Sequence, residues 1–166
     1  AVNFDFAAQS AEVRKNFGDA VEVHFEPGRF VSAPLGILAT RVRHLKNRTG
    51  KVIAIIDAAM NDLIRPMLYE AYHPILPVTR RQNEETYDVV GPVCESTDTF
   101  ASARKLPELA ETDWLAIGYA GAYGSCMSSN FNSRPLIPEL LVTPDGKIQT
   151  IRRPQTFEQM LAPEII

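Results

Sequence analysis

Lys51-Val52-Ile53-Ala54-Ile55-Ile56-Asp57 is the stretch on which the fold turns. Ile53 to Ile56 is an unbroken apolar run, the pattern of a strand covered on both faces. Upstream, Leu35 to Leu45 also reads as extended, and the polar Lys46-Asn47-Arg48-Thr49-Gly50 between the two segments predicts a turn. Downstream, Ile64, Met67, Leu68 and Ala71 recur at i, i+3, i+4 and i+7, the spacing of a short helix with Pro66 in its first turn. Tyr87 to Cys94 and Asp113 to Tyr119 read as two more strands. Glu139 to Thr143 and Lys147 to Ile151 flank Pro144-Asp145-Gly146 as a hairpin, and Thr156-Phe157-Glu158-Gln159 has the spacing of a capping box for a last short helix. Twelve prolines against nine glycines suit many short strands and turns. From about residue 35 onward the chain reads as mostly β.

Before that point the texture differs. Asp5 to Phe17 forms a helical pattern through Phe6, Val13 and Phe17, with Gly18 placed to stop it. Val21, Val23 and Phe25 then alternate with Glu22 and His24 as a strand would, until Pro27-Gly28 breaks the pattern. A helix leading by a short turn into a strand is the αβ step of an α/β architecture.

The 166 residues are 45% apolar and 22% charged, enough for a core without disulfide or metal staples. Seventeen basic against twenty acidic side chains leave a net charge of -3, which gives no electrostatic case for nucleic acid or an anionic membrane. No apolar run approaches the roughly 20 residues of a membrane-spanning helix. Two cysteines make no disulfide framework, and a reducing cytoplasm is the simpler setting. The three histidines and two cysteines are scattered without metal-ligand spacing, so no metal is expected. The chain opens Ala1-Val2-Asn3 without an initiator Met, which suggests a fragment of something larger.

Four places carry residues suited to chemistry. Glu26-Pro27-Gly28-Arg29 closes the first strand pattern. Glycine there would let backbone N–H groups approach a phosphate and Arg29 would add a charged contact, although a plain turn explains the same residues. Arg65 and Tyr69 are four apart and share a helix face, which suits either carboxylate recognition or a surface arginine packed over a tyrosine. Cys94 is followed by Glu95, whose carboxylate should keep the thiol protonated, a poor nucleophile but a usable acid. The alternative for Cys94 is a small buried residue at a strand end, and Cys126 is read as packing. Tyr123 lies within Ala120-Gly121-Ala122-Tyr123-Gly124, where glycines could present it at a tight turn. Glu84-Glu85 reads as a solvated loop.

In order, Glu26–Arg29, Asp57-Ala-Ala-Met-Asn-Asp-Leu-Ile-Arg-Pro66, Tyr87-Asp-Val-Val-Gly-Pro-Val-Cys-Glu-Ser96 and Ala120–Gly124 with Met127-Ser-Ser-Asn130 closely resemble the C-terminal part of the diaminopimelate decarboxylase family. These are pyridoxal-phosphate enzymes of the alanine-racemase-like fold group. The likeness runs from about residue 20 to the end. Its second and third segments are specific, while the first and fourth are shared more loosely with ornithine and arginine decarboxylases.

The resemblance implies a parent protein with a (β/α)8 barrel followed by a β domain. Residues 1–34 would be the end of the barrel, its last αβ unit, and 35–166 a mostly β, barrel- or sandwich-like domain with short helices. It implies decarboxylation of meso-2,6-diaminopimelate to L-lysine and CO2, a step of lysine biosynthesis, in a cytoplasmic homodimer with shared active sites. Glu26, Pro27, Gly28 and Arg29 would hold the cofactor phosphate, and Tyr123 would touch cofactor and substrate. Arg29, Arg65, Tyr69 and Glu95 would bind substrate, and Cys94 would give the proton from one subunit into its neighbour's site. The family's Schiff-base lysine lies in a Tyr-x-x-Lys-Ala-Asn type context that none of Lys15, Lys46, Lys51, Lys105 or Lys147 shares. A barrel alone takes about 250 residues. The expectation is therefore a C-terminal fragment, inactive by itself. Two alternatives stand beside it: a decarboxylase of another basic amino acid, and a catalytically silent β module that binds a partner or a carboxylate ligand.

Overall fold

A computed structural model describes residues 4–48 and 50–165. Ala1-Val2-Asn3 lies outside the described residues, as does Thr49 of the expected turn. The first helix, α1 (Phe6–Phe17), begins where Asp5 accepts the Ala8 N–H at 2.9 Å and stops where Gly18 donates to the Arg14 carbonyl. The alternating segment after it is no strand, because among the described residues no strand lies beside it to pair with. Instead Phe6 packs edge-on against Phe4, Phe25 and Phe30, with centroids 4.8, 5.2 and 5.4 Å away. Those contacts tie α1 to the segment around Phe25 and to α2 (Gly28–Ser32), so the expected Pro-Gly turn is the start of a short helix. A single 3-10 turn over Ala33–Leu35 then feeds the sheet.

The sheet strands are β1 (Leu38–Arg48), β2 (Lys51–Ile56), β3 (Ile75–Pro77), β4 (Glu84–Val90), β5 (Thr99–Pro107) and β6 (Trp114–Ile117). They form one six-stranded sheet in the order β3-β6-β1-β2-β4-β5. Its two edges curl toward each other, with β3 against β5. Arg104 of β5 bridges them, donating to the His73 carbonyl at 3.1 Å while its guanidinium lies 4.3 Å from the Tyr72 ring centre. Val42, Ile56, Tyr87, Val89, Leu115 and Ile117 fill the inside of the curl. The chain is thus mostly β with a nearly closed, barrel-like sheet and short helices. A separate hairpin, β7 (Glu139–Val142) with β8 (Ile148–Arg152), pairs antiparallel, and α4 (Phe157–Leu161) starts in the expected Thr156/Gln159 capping box.

Several boundaries differ from the sequence reading. The strand β1 runs through Arg48, which pairs with Lys51, so the polar residues Lys46 to Arg48 belong to a hairpin strand. Residues 91–94 are not strand, because β4 ends at Val90 and begins earlier, taking in Glu84 and Glu85. On β2, Ala54 and Ile56 are buried while Ile53 and Ile55 are half-covered, so its second face is only partly closed. The short helix α3 (Arg65–Tyr69) forms as the spacing predicts, with Pro66 in its first turn.

The pairing directions decide where the loops lie. Strand β2 runs parallel to β4, and both β2 and β6 run antiparallel to β1. Hence β2, β4 and β6 all end at the same edge of the curl, the edge at which β1 and β3 begin. Residues 26–37, 57–74, 91–98 and 118–124 are therefore delivered to one end of the molecule.

Candidate functional site

At that end, a groove of about 1040 Å³ is lined by Glu26, Pro27, Arg29, Arg65, His73 and Tyr119, among others. Two of the four places singled out in the sequence, Glu26–Arg29 and Arg65, line it, and a third, the Ala120–Gly124 loop, follows directly on its Tyr119. Their junction is backbone on backbone: the Ala120 N–H donates to the Gly36 carbonyl at 2.9 Å, and the Gly121 N–H to the Ala33 carbonyl at 3.1 Å. A Cβ on Gly36 would come within 2.6 Å of the Gly121 Cα, and one on Gly121 would run into the Ser32 carbonyl. Only two glycines permit this approach. It seats the loop after β6 on the α2 segment, and Tyr119 and Tyr123 turn around it with φ of 59° and 56°.

Arg65 projects from α3 between two phenol rings. Its guanidinium carbon is 5.3 Å from the Tyr69 ring centre and 5.5 Å from that of Tyr123. Stacking holds a guanidinium in place while its in-plane N–H donors stay available for a planar anion. Among the described residues, neither Arg65 nor Arg29 is paired with a carboxylate. The two cations thus give a locally positive groove on a chain of net charge -3. His73, 3% exposed, donates from Nδ1 to the Gly118 carbonyl at 2.8 Å. Burial holds its imidazole below the usual range, and the charges of Arg65 and Arg29 add to that. Tyr72, His73 and Tyr119 were not singled out in the sequence. Their lining role follows from strand ends that alternation alone does not locate.

Gly28 has open space where a Cβ would stand, and the first-turn amides of Arg29 and Phe30 have no earlier turn to donate to. Together with Arg29, this is a donor set that fits a phosphate. Glu26, Pro27 and Arg29 thus share the groove with Arg65, while Gly28, Tyr69 and Tyr123 are not in its lining, the two tyrosines joining it through their rings against Arg65.

Cys94 and Glu95 are not in that groove lining. They sit on the neighbouring loop after β4, where Cys94 is exposed and not packed at a strand end. The Glu95 carboxylate is turned onto its own loop, accepting the Thr97 N–H at 3.1 Å and the Thr97 hydroxyl at 3.0 Å. Those bonds, the backbone one foremost, hold it below the usual carboxylate range and so keep it anionic. Cys126 is also exposed, contrary to the packing role expected for it.

The model for the C-terminal sheet domain of pyridoxal-dependent decarboxylases matches residues 29–121, more than half of the chain. The chain belongs to that family. Diaminopimelate decarboxylase of Vibrio cholerae is 46% identical over 166 aligned residues, covering 95% of this chain and 39% of that protein. The crystal structure of diaminopimelate decarboxylase from M. jannaschii in complex with L-lysine superposes with a TM-score of 0.83 at 33% identity, over 96% of this chain and 36% of that one. Its counterpart from Helicobacter pylori, also with L-lysine, gives 0.80 at 41% identity, over 93% and 38%. The chain therefore spans about 39% of the length of the Vibrio cholerae relative.

Proposed function

We propose that this sequence is the C-terminal part of a pyridoxal-phosphate-dependent decarboxylase that converts meso-2,6-diaminopimelate to L-lysine and CO2. On this reading residues 1–34 belong to the end of a cofactor-binding barrel and 35–166 form the β domain that closes its site. The observation that carries it is the convergence of Arg29 and the tyrosine-stacked Arg65 in one groove, beside the open first turn at Gly28. The solved relatives with L-lysine bound support the substrate class.

When bound, pyridoxal phosphate supplies an electron sink for the pair left behind as the α-carboxylate departs. Glu26, Pro27, Gly28 and Arg29 would face its phosphate, and Tyr123 would contact cofactor and substrate. Arg65 and Arg29 offer N–H donors to the carboxylate of the substrate's far amino-acid head, and the anionic Glu95, which lies outside this groove on the Cys94 loop, would receive that head's ammonium in the neighbouring subunit's site. A substrate without a second carboxylate leaves the arginines unpaired, which is how the site would reject ornithine or arginine. The Cα–carboxylate bond breaks, and a C–H bond forms with the proton given by the Cys94 thiol. Cys94 and Glu95 both stand outside the groove lining, which supports a homodimer in which their loop serves the neighbouring subunit's site.

Arg65→Ala in the native polypeptide that carries this sequence tests the reading. Loss of charge-assisted hydrogen bonds of about 1.5–3 kcal/mol should raise KM for meso-diaminopimelate about ten- to a hundredfold. Affinity for pyridoxal phosphate should change much less. An unchanged KM removes Arg65 from the substrate site, and faster turnover of ornithine or arginine by the unaltered protein favours the other decarboxylases.

A further inference from the structure

The loop after β4 that carries Cys94 and Glu95 is exposed at its tip, yet it is closed from within by a single buried carboxylate. Asp98 is 3% exposed. Its Oδ2 accepts the Val93 N–H at 3.2 Å, inside the loop. Its Oδ1 reaches out of the loop and accepts the Met60 N–H at 2.8 Å, on the segment that leads from β2 to α3 and Arg65. The backbone repeats the closure: the Gly91 N–H donates to the Asp98 carbonyl at 2.9 Å, and the Asp98 N–H to the Glu95 carbonyl at 3.1 Å. The fit is tight, since a Cβ on Gly91 would collide with the Asp98 carboxylate.

The segment that receives Oδ1 is itself fixed. Arg134 donates to the Asn61 side chain at 3.0 Å and to the Asp57 carbonyl at 2.7 Å, and its guanidinium lies 3.7 Å from Asp62. The Asp62 carboxylate in turn accepts the Ala59 N–H at 2.9 Å. Asp98 is thus the hydrogen-bonded link between the Cys94–Glu95 loop and the segment that presents Arg65.

We propose that Asp98 is a positioning residue that sets the placement of Cys94 and Glu95 by accepting the Val93 and Met60 amides together. Asn has the same shape, but only one of its two terminal atoms accepts. At position 98 it can satisfy one of those two amides and must turn an N–H toward the other. The loop would then be held to itself or to the Met60 segment, not to both. The inference rests on the decarboxylase reading for its consequence in turnover, while its structural content can be read without activity.

The test uses Asp98→Asn in the native polypeptide carrying this sequence, loaded with pyridoxal phosphate. Two readouts are taken: kcat per bound cofactor with meso-diaminopimelate, and iodoacetamide alkylation of Cys94 by peptide mass spectrometry. Cys126, exposed on a different loop, is the internal reference. The expected result is a fall in kcat per cofactor of about tenfold or more, with the Cys94 rate changed about threefold or more relative to Cys126. An unchanged Cys94-to-Cys126 ratio overturns the proposal, including when kcat falls, since the loss then arises elsewhere. A wild-type protein without decarboxylase activity defeats the functional reading alone, because the alkylation ratio still decides the positioning role. Should Asp98→Asn not fold, amide hydrogen exchange of the wild type decides. Protection of the Met60 and Val93 amides comparable to β4 supports the link, and exchange of residues 91–98 at free-peptide rates contradicts it.

Discussion

Arg65 stands between two tyrosine rings, and only one of those contacts could be read along the chain. Tyr69 is four residues on and shares its helix face, so i, i+4 spacing exposes the pair. Tyr123 reaches the other side from the loop after β6, and no local pattern links the two positions. Two buried side chains have the same non-local character. The Tyr87 hydroxyl, on a residue 1% exposed, accepts the Leu109 N–H at 2.9 Å. Tyr87→Phe leaves that amide unpaired and should cost about 1–3 kcal/mol, measured by urea unfolding. His73 sits below its ordinary value of 6.5, chiefly through burial. As pH falls below that value the unfolded chain takes up the proton first, so this contribution to stability is full at neutral pH and is lost on acidification. The midpoint of thermal unfolding should drop between about pH 7 and pH 5.5, and less steeply in His73→Gln. For Cys94→Ala, loss of a general acid should lower kcat by about a hundred- to ten-thousandfold with cofactor still bound, as stopped assays per cofactor would show.

Elements whose residues alternate cleanly or carry end signals were legible: α1 with Asp5 and Gly18, α3 around Pro66, the β7–β8 hairpin and the α4 capping box. The strand β5 was not. Ala103 takes φ of 47° and the β4–β5 register shifts near it, which puts the two halves of the strand out of phase. An alternation test across Thr99–Pro107 therefore finds no period. The segment at 20–25 failed in the opposite sense. Its alternation is genuine, but a strand also needs a partner, and among the described residues none lies beside it. The Gly36–Gly121 contact, which seats the Tyr119–Tyr123 loop on the 3-10 turn after α2, is an element-scale feature that sequence spacing cannot reveal. Gly121→Ala would force those backbones apart. It should cost about 1–3 kcal/mol in stability and weaken pyridoxal phosphate binding, seen as a shifted absorbance titration.

At the scale of the whole molecule, strand direction does the organising. Parallel β2 and β4, with β6 in the same sense, bring four segments scattered through the chain to one end of a curled sheet. The motifs could be recognised one by one in the sequence, but their meeting depends on the β2–β4 parallel pair, which no local signal announces. The resulting end of the sheet gathers two arginines unpaired with carboxylates among the described residues, a first helical turn with open space beside Gly28, and an adjoining loop with an exposed thiol. The decarboxylase reading needs that set to act on one substrate. Its most direct test incubates the native polypeptide carrying this sequence with pyridoxal phosphate and carboxyl-labelled meso-2,6-diaminopimelate, and quantifies labelled CO2 and L-lysine together. Release of the two in equal amounts, dependent on the cofactor, is the expected result, and saturating cofactor and substrate that yield neither product would contradict the account.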